Sequence, residues 1–229
     1  MINFSGWRRY NIWEHSPTVL ELYSRRVKGE VEEMTCAAQA AELLRPLARP
    51  GESLLDVGCG TGYFYHSLRA RRIPLEYFGV DATAAFIDIG RAALPELSPE
   101  QLAVGRIEDL DGSADYVLCM NVLSNLDNFH RPLERLLKMA RKTLILRESV
   151  KDGAEYRYVT DRYLDSAEAL KVYVNAYDRR ELTEFIRSYG YDVSEVVDHR
   201  TGGAPEMVID YPHYWTFFVA TRVGEQSNV

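Results

Sequence analysis

The segment Asp56-Val57-Gly58-Cys59-Gly60-Thr61-Gly62 follows the apolar pair Leu54-Leu55 and leads into a helical stretch. An apolar run entering a cluster of glycines marks a buried parallel strand that ends in a tight turn, where backbone lacking Cβ atoms passes close to a ligand. The spacing is neither the Gly-x-Gly-x-x-Gly of a dinucleotide turn nor the Gly-x-x-x-x-Gly-Lys of a phosphate loop. Here the glycines alternate, and Asp56 sets a carboxylate where it repels phosphate and attracts a cation. The ligand is therefore expected to be positive or zwitterionic near this turn.

S-adenosylmethionine, with ammonium and sulfonium charges and no phosphate, meets that requirement, and NAD does not. The next strand-like run, Glu76-Tyr77-Phe78-Gly79-Val80, ends at Asp81. An acid at the end of the second strand, about 20 residues beyond the turn, is placed to accept both ribose hydroxyls of an adenosine. Taken alone Asp81 reads as a helix N-cap; behind this glycine turn, ribose binding is the better reading.

Over Leu54 to Gly62 and Gly79-Val80-Asp81 the chain resembles the class I, Rossmann-like S-adenosylmethionine-dependent methyltransferases, and the order of elements from about residue 38 to 222 agrees. The resemblance implies that Asp56, Gly58 and Gly60 meet the methionine part of the cofactor, and that Asp81, with its neighbour Ala82, meets the ribose. It implies adenine contacts from the backbone N–H groups of Ile107 and Glu108, although Arg106 stands where the family usually has Asp. Asn121, first past the fourth strand, inherits a backbone carbonyl contact to the cofactor ammonium. Asn125 replaces a frequent His near the transferable methyl group, and an amide is no proton acceptor at neutral pH. S-adenosylhomocysteine is the implied product.

Other residues point toward the carboxylate and the acceptor. Arg26, at helical spacing from Tyr23, suits bidentate pairing with the methionine carboxylate, and the plainer reading is a surface arginine. Tyr156, Tyr158 and Tyr163, with Asn125, are candidates for the acceptor pocket, because the connection over 151–178 follows the fifth strand on the ligand side of such a sheet. The competing reading is a helix packing its aromatic side on the sheet, which the spacing of Tyr173 and Tyr177 fits. His15, His130 and His213 are the candidate bases, with His199 also available outside the cofactor motifs, and none is distinguished by pattern. His130 before Pro132 reads as a helix start, and His213 in Asp210-Tyr211-Pro212-His213 as a turn.

Positioning these groups requires an α/β fold. Strands are expected near 53–57, 76–80, 101–105, 115–120 and 143–149, helices near 62–71, 83–94 and 131–141, and two last strands at 191–197 and 214–221. This alternation implies a doubly wound, mostly parallel sheet with helices on both faces. The resemblance makes it seven-stranded with an antiparallel last strand, under an N-terminal helical lid over residues 1–48. The 229 residues suit one domain, 1–229.

A net charge of -7 argues against a nucleic-acid partner, which needs a basic stripe. No apolar run of membrane-spanning length exists and the first residues lack a signal-peptide core, so a cytoplasmic protein off the membrane is expected. Cys36, Cys59 and Cys119 have neither disulfide nor metal-ligand spacing, and no metal is assigned. The expected activity is methyl transfer to an oxygen or nitrogen of a polar small molecule such as a sugar, nucleotide or phenol. The alternatives are a cofactor-binding regulatory partner without turnover, and a protein or RNA methyltransferase. Acceptor identity and oligomeric state are not encoded in any motif.

Overall fold

A computed structural model describes residues 11–161 and 170–224. In chain order it contains α1 (Pro17–Val27), α2 (Thr35–Leu44), β1 (Ser53–Val57), α3 (Phe64–Ala70), β2 (Glu76–Asp81), α4 (Ala84–Ala93) and β3 (Leu102–Val104). The second half adds β4 (Ala114–Met120), α5 (His130–Met139), β5 (Ala140–Lys151), β6 (Tyr158–Thr160), β7 (Lys171–Tyr173), β8 (Tyr177–Asp178) and α6 (Arg179–Ser188). It closes with β9 (Tyr191–Val197), β10 (Glu206–Val208), β11 (Tyr211–His213) and β12 (Trp215–Arg222).

Seven strands run in the order β3-β2-β1-β4-β5-β12-β9, and the two-residue β8 pairs with β5 beside this path. The first five are parallel, and β12 inserts antiparallel to both β5 and β9. The order reverses between β1 and β4, which in an open α/β sheet opens a crevice at the carboxyl ends of the strands. One face of the sheet is covered by α5 and α6, whose Leu133, Leu136, Leu137, Leu182 and Ile186 are fully buried. The other face is covered by α2, α3 and α4 through residues such as Ala40, Leu44, Leu68 and Ile87.

Two local expectations differ from what forms. Tyr173 and Tyr177 lie on short strands rather than one helix, because β7 pairs with β6 and β8 pairs with the end of β5. Between 178 and 191 a helix appears that periodicity reading passed over. Asp178 caps it by accepting the Glu181 amide at 2.8 Å, and Phe185 meets Phe129 edge-on at 5.6 Å.

Candidate functional site

The glycine turn rests on backbone that side chains would disturb. Gly58, Gly60 and Gly62 have φ of 76°, 58° and 77°, a region that costs an L-residue about 1–2 kcal/mol. A Cβ on Gly58 would stand 2.3 Å from Val122 Cγ2, and one on Gly60 3.2 Å from the Tyr23 ring. Asp81 closes the turn from β2: Oδ2 accepts the Gly60 amide at 2.9 Å and Oδ1 accepts the Thr83 amide at 2.8 Å. Its pKa is raised by burial, against the pull of those amides. Thr83, not Asp81, stands at the N-cap of α4; Asp81 instead ties the loop that leads into that helix, with Ala82 between the two.

Asp56 sits beneath the turn rather than on its open side. It is 2% exposed and its Oδ2 accepts the Tyr77 hydroxyl at 2.8 Å. Burial, opposed by that hydrogen bond and helped by the nearby Asp81, pushes its carboxyl up to about 7. The charge expected at the mouth of the crevice is therefore muted by the fold at neutral pH.

The amino-terminal elements cover the turn. Tyr23 on α1 packs 4.8 Å from Phe86 and 5.6 Å from Tyr63, ring to ring, and its carbonyl accepts Thr61 Oγ1 at 3.1 Å. Arg26 lies 5.3 Å from the Tyr23 ring and 5.5 Å from the Tyr63 ring, so its guanidinium is held over the glycine turn by cation–π contact. Ahead of α1, Asn11 Nδ2 donates to Thr83 Oγ1 at 3.0 Å, and Glu14 Oε1 accepts the Ala84 amide at 2.9 Å. His15 ends the short turn Ile12–His15 between these contacts and α1.

The other wall is the segment after β4. Asn121 has φ of 59°, its amide donates to the Arg147 carbonyl at 2.8 Å, and its own carbonyl accepts Asn125 Nδ2 at 2.9 Å. Fully buried Glu148 on β5 holds the next three residues: Oε1 accepts the Val122 and Leu123 amides at 2.9 and 2.8 Å, and Oε2 accepts Ser124 at 2.9 Å. Burial pushes this carboxyl up to about 7 while the three amides favour its ionised form. Beside it Arg147, also buried, donates from Nε to Asp198 at 2.7 Å and lies 4.5 Å over the Trp215 ring. None of Arg147, Glu148, Asp198 and Trp215 was singled out by motif. The available signal was an adjacent pair of charges inside the apolar run Leu144 to Val150.

The remaining candidates are scattered. Ile107 and Glu108 lie in the turn Ile107–Asp109 after β3, with the Ile107 side chain buried and Glu108 exposed 3.4 Å from Arg106. His213 is buried, stacked 4.8 Å from Trp215, and burial lowers its pKa, leaving a neutral imidazole next to Arg147's aromatic partner. His130 instead stacks on Phe129 at 4.1 Å, with Nε2 3.2 Å from Glu181 on α6. Tyr156 and Tyr158 are both half exposed; Tyr158 stacks on Tyr173 at 4.5 Å across the β6–β7 hairpin, and Tyr156 meets Tyr177 edge-on. Tyr163 lies outside the described residues. Cys36, Cys59 and Cys119 are buried free thiols. No described helix is long and apolar enough to cross a membrane.

Residues 55–144 match the family model described as a methyltransferase domain. Trans-aconitate 2-methyltransferase of Deinococcus radiodurans is 34% identical over 116 residues, which take in 49% of this chain and 44% of that protein. The matched stretch thus spans less than half of that relative's length. Among solved structures, magnesium protoporphyrin IX methyltransferase of Synechocystis PCC 6803 with bound S-adenosylhomocysteine superposes with a TM-score of 0.64 at 16% identity, covering 96% of this chain and all of the other. An amino pentose methyltransferase from Micromonospora echinaspora, with S-adenosylmethionine bound, superposes at 0.56 with 22% identity, covering 88% and 97% of the two chains. At these identities the structural likenesses concern the fold.

Proposed function

We propose that this chain is a class I, Rossmann-like methyltransferase, a reading supported by the match of residues 55–144 to a methyltransferase-domain model, and that it moves a methyl group from S-adenosylmethionine to an oxygen or nitrogen of a small polar molecule. The observation that carries the reading is the union of three elements at one place: the positive-φ glycine turn, Asp81 closing on Gly60, and Tyr23 with Arg26 laid over both. The cradle fits the cofactor in its backbone: Gly58 and Gly60 turn the chain at positive φ at the end of β1 and let Val122 and Tyr23 pack close, and the acid at the end of β2 suits two ribose hydroxyls. Bound there, the cofactor supplies an electrophilic methyl carbon on a sulfonium.

The chain's own residues have distinct duties in this reading. Asp81 accepts the ribose hydroxyls, and Arg26 pairs with the methionine carboxylate from the covering helix. Ile107 and Glu108 offer backbone amides to the adenine, and the Asn121 carbonyl faces the ammonium, oriented by Asn125. Glu148 fixes the segment 122–124 against Gly58, so the methyl donor and the acceptor are held in one geometry; such positioning is a large share of what methyl transfer needs. His213, neutral and buried, is the best placed of the three histidines to take a proton from an alcohol acceptor. A small-molecule acceptor is favoured by the 34% identity over 116 residues to a protein named for trans-aconitate and by the acidic net charge of -7.

Calorimetric titration with S-adenosylmethionine and S-adenosylhomocysteine tests the reading. Saturable binding of both, weakened in Asp81→Ala, is expected. A folded protein that binds neither at millimolar concentration, or whose affinity ignores Asp81→Ala, overturns it.

A further inference from the structure

Arg147 carries a charge that the fold buries and uses only in part. Its side chain is 3% exposed. Nε donates to Asp198 Oδ2 at 2.7 Å and Nη1 donates to Asn121 Oδ1 at 2.5 Å, but Nη2 is buried with no hydrogen-bond partner among the described residues. Asp198 meets the guanidinium with one oxygen only, at Nε, and its second oxygen accepts the Thr201 amide at 3.0 Å. The usual two-pronged grip, which would have satisfied Nη2, is therefore not made. A buried guanidinium N–H without an acceptor is unfavourable, and an oxygen brought from outside the chain relieves it.

The location is the end of the sheet at which ligands of such folds bind. In register, Val57 pairs with Cys119, Cys119 with Leu146, and Met120 with Arg147. Arg147 stands one residue beyond the row that ends β1, at the carboxyl ends of the strands where ligands of such sheets bind. Asn121, which follows β4, is its hydrogen-bond partner and also borders the expected methyl position. Trp215 faces the guanidinium at 4.5 Å and His213 stacks on Trp215, so a planar group meeting Nη2 edge-on would run along an aromatic wall.

We propose that Arg147 receives a carboxylate of the methyl acceptor at Nη2, which makes the substrate class a small carboxylic acid. The proposal rests on the methyltransferase reading above and deepens it. A monoanion fits better than a phosphate dianion, because Asp198, kept below the usual carboxylate range chiefly by the Arg147 hydrogen bond against its own burial, repels a second strong negative charge. A neutral oxygen would leave the strength of a charge-assisted bond unused.

The test uses formate, the smallest carboxylate, and formamide, its uncharged counterpart, in protein saturated with S-adenosylhomocysteine. In a Trp7→Phe/Trp13→Phe background Trp215 is the remaining tryptophan of three, and its emission reports the ligand. Formate should change that emission saturably and bind about tenfold or more tighter than formamide. The effect should vanish in Arg147→Met and weaken about tenfold in the more conservative Arg147→Lys, which keeps the charge and loses the planar fork. Equal affinity for formamide, tighter binding of inorganic phosphate, or no saturation at molar formate overturns the assignment, and the ligand comparison in unsubstituted Arg147 decides even if neither variant folds. Calorimetry with S-adenosylhomocysteine comes first: protein that binds it but not formate overturns the Arg147 assignment alone, and protein that binds neither overturns both readings.

Discussion

The two walls of the crevice are built on opposite principles. Around β1 and β2 the work is done by backbone: glycines at positive φ, amides turned toward Asp81, and an aromatic helix laid on top. Around β4 and β5 it is done by buried charge, with Glu148 holding three amides and Arg147 joining Asn121 to Asp198. The first kind of wall is a cradle whose form hardly depends on side-chain identity beyond glycine and one acid. The second depends on several particular side chains meeting, and this is where one methyltransferase can differ from another without change of fold.

The sharpest way to break this contrast is Glu148→Ala, which strands the Val122, Leu123 and Ser124 amides. At about 1–3 kcal/mol for each buried unpaired group, urea unfolding should show a loss on the order of 4 kcal/mol. A loss below about 1 kcal/mol would mean that the segment 122–124 does not depend on buried charge. Asp81→Ala comes next. Two charge-assisted hydrogen bonds to ribose hydroxyls make its expected cost in cofactor affinity on the order of a hundredfold by calorimetry, with circular dichroism unchanged. An effect of about threefold or less would deny the first wall its one essential side chain.

A subtler effect concerns Asp56. Its folded pKa of about 7 lies above its ordinary value of 3.8, so the native state holds a proton that the unfolded chain releases. That contribution to stability is complete below the ordinary value, falls as pH rises, and is gone once pH passes the folded value. Thermal unfolding followed from acid to pH 8 should show this decline, and Asp56→Asn should flatten it; an unchanged slope would place the carboxyl outside the low-dielectric layer under the turn. Smallest of all is Asn125→Ala, which frees the Asn121 carbonyl of one donor. A change of about threefold in S-adenosylhomocysteine affinity is expected by calorimetry, because the backbone itself stays held by Glu148.

Much of the first wall was legible along the chain. The glycines and the acid at the end of β2 lie within one β-turn-α-β unit, so their spacing alone places them together, and the strand-like runs at 53–57, 76–80 and 115–120 mark the sheet that carries them. The second wall was not legible by motif. Arg147 draws its partners from residues 51 positions ahead in Asp198 and 26 behind in Asn121, and adjacency of that kind leaves no local pattern. Tyr173 and Tyr177 show the same limit: a spacing of four is equally compatible with one helix or two short strands, and pairing with β6 and β5 chose the latter.

What the sequence determined by itself is the order of strands and helices from β1 to β5, the sharp glycine turn, and an acid one unit later, because each follows from local steric limits and the period of apolar residues. Tertiary structure alone decided that Asp56 is buried against Tyr77, that α1 closes over Gly60, and that Arg147 keeps one buried nitrogen without a hydrogen-bond partner among the described residues. The reason is physical. A charge buried between distant strands takes its character from whichever neighbours the fold brings to it, and those neighbours are set by packing across the sheet rather than by position along the chain.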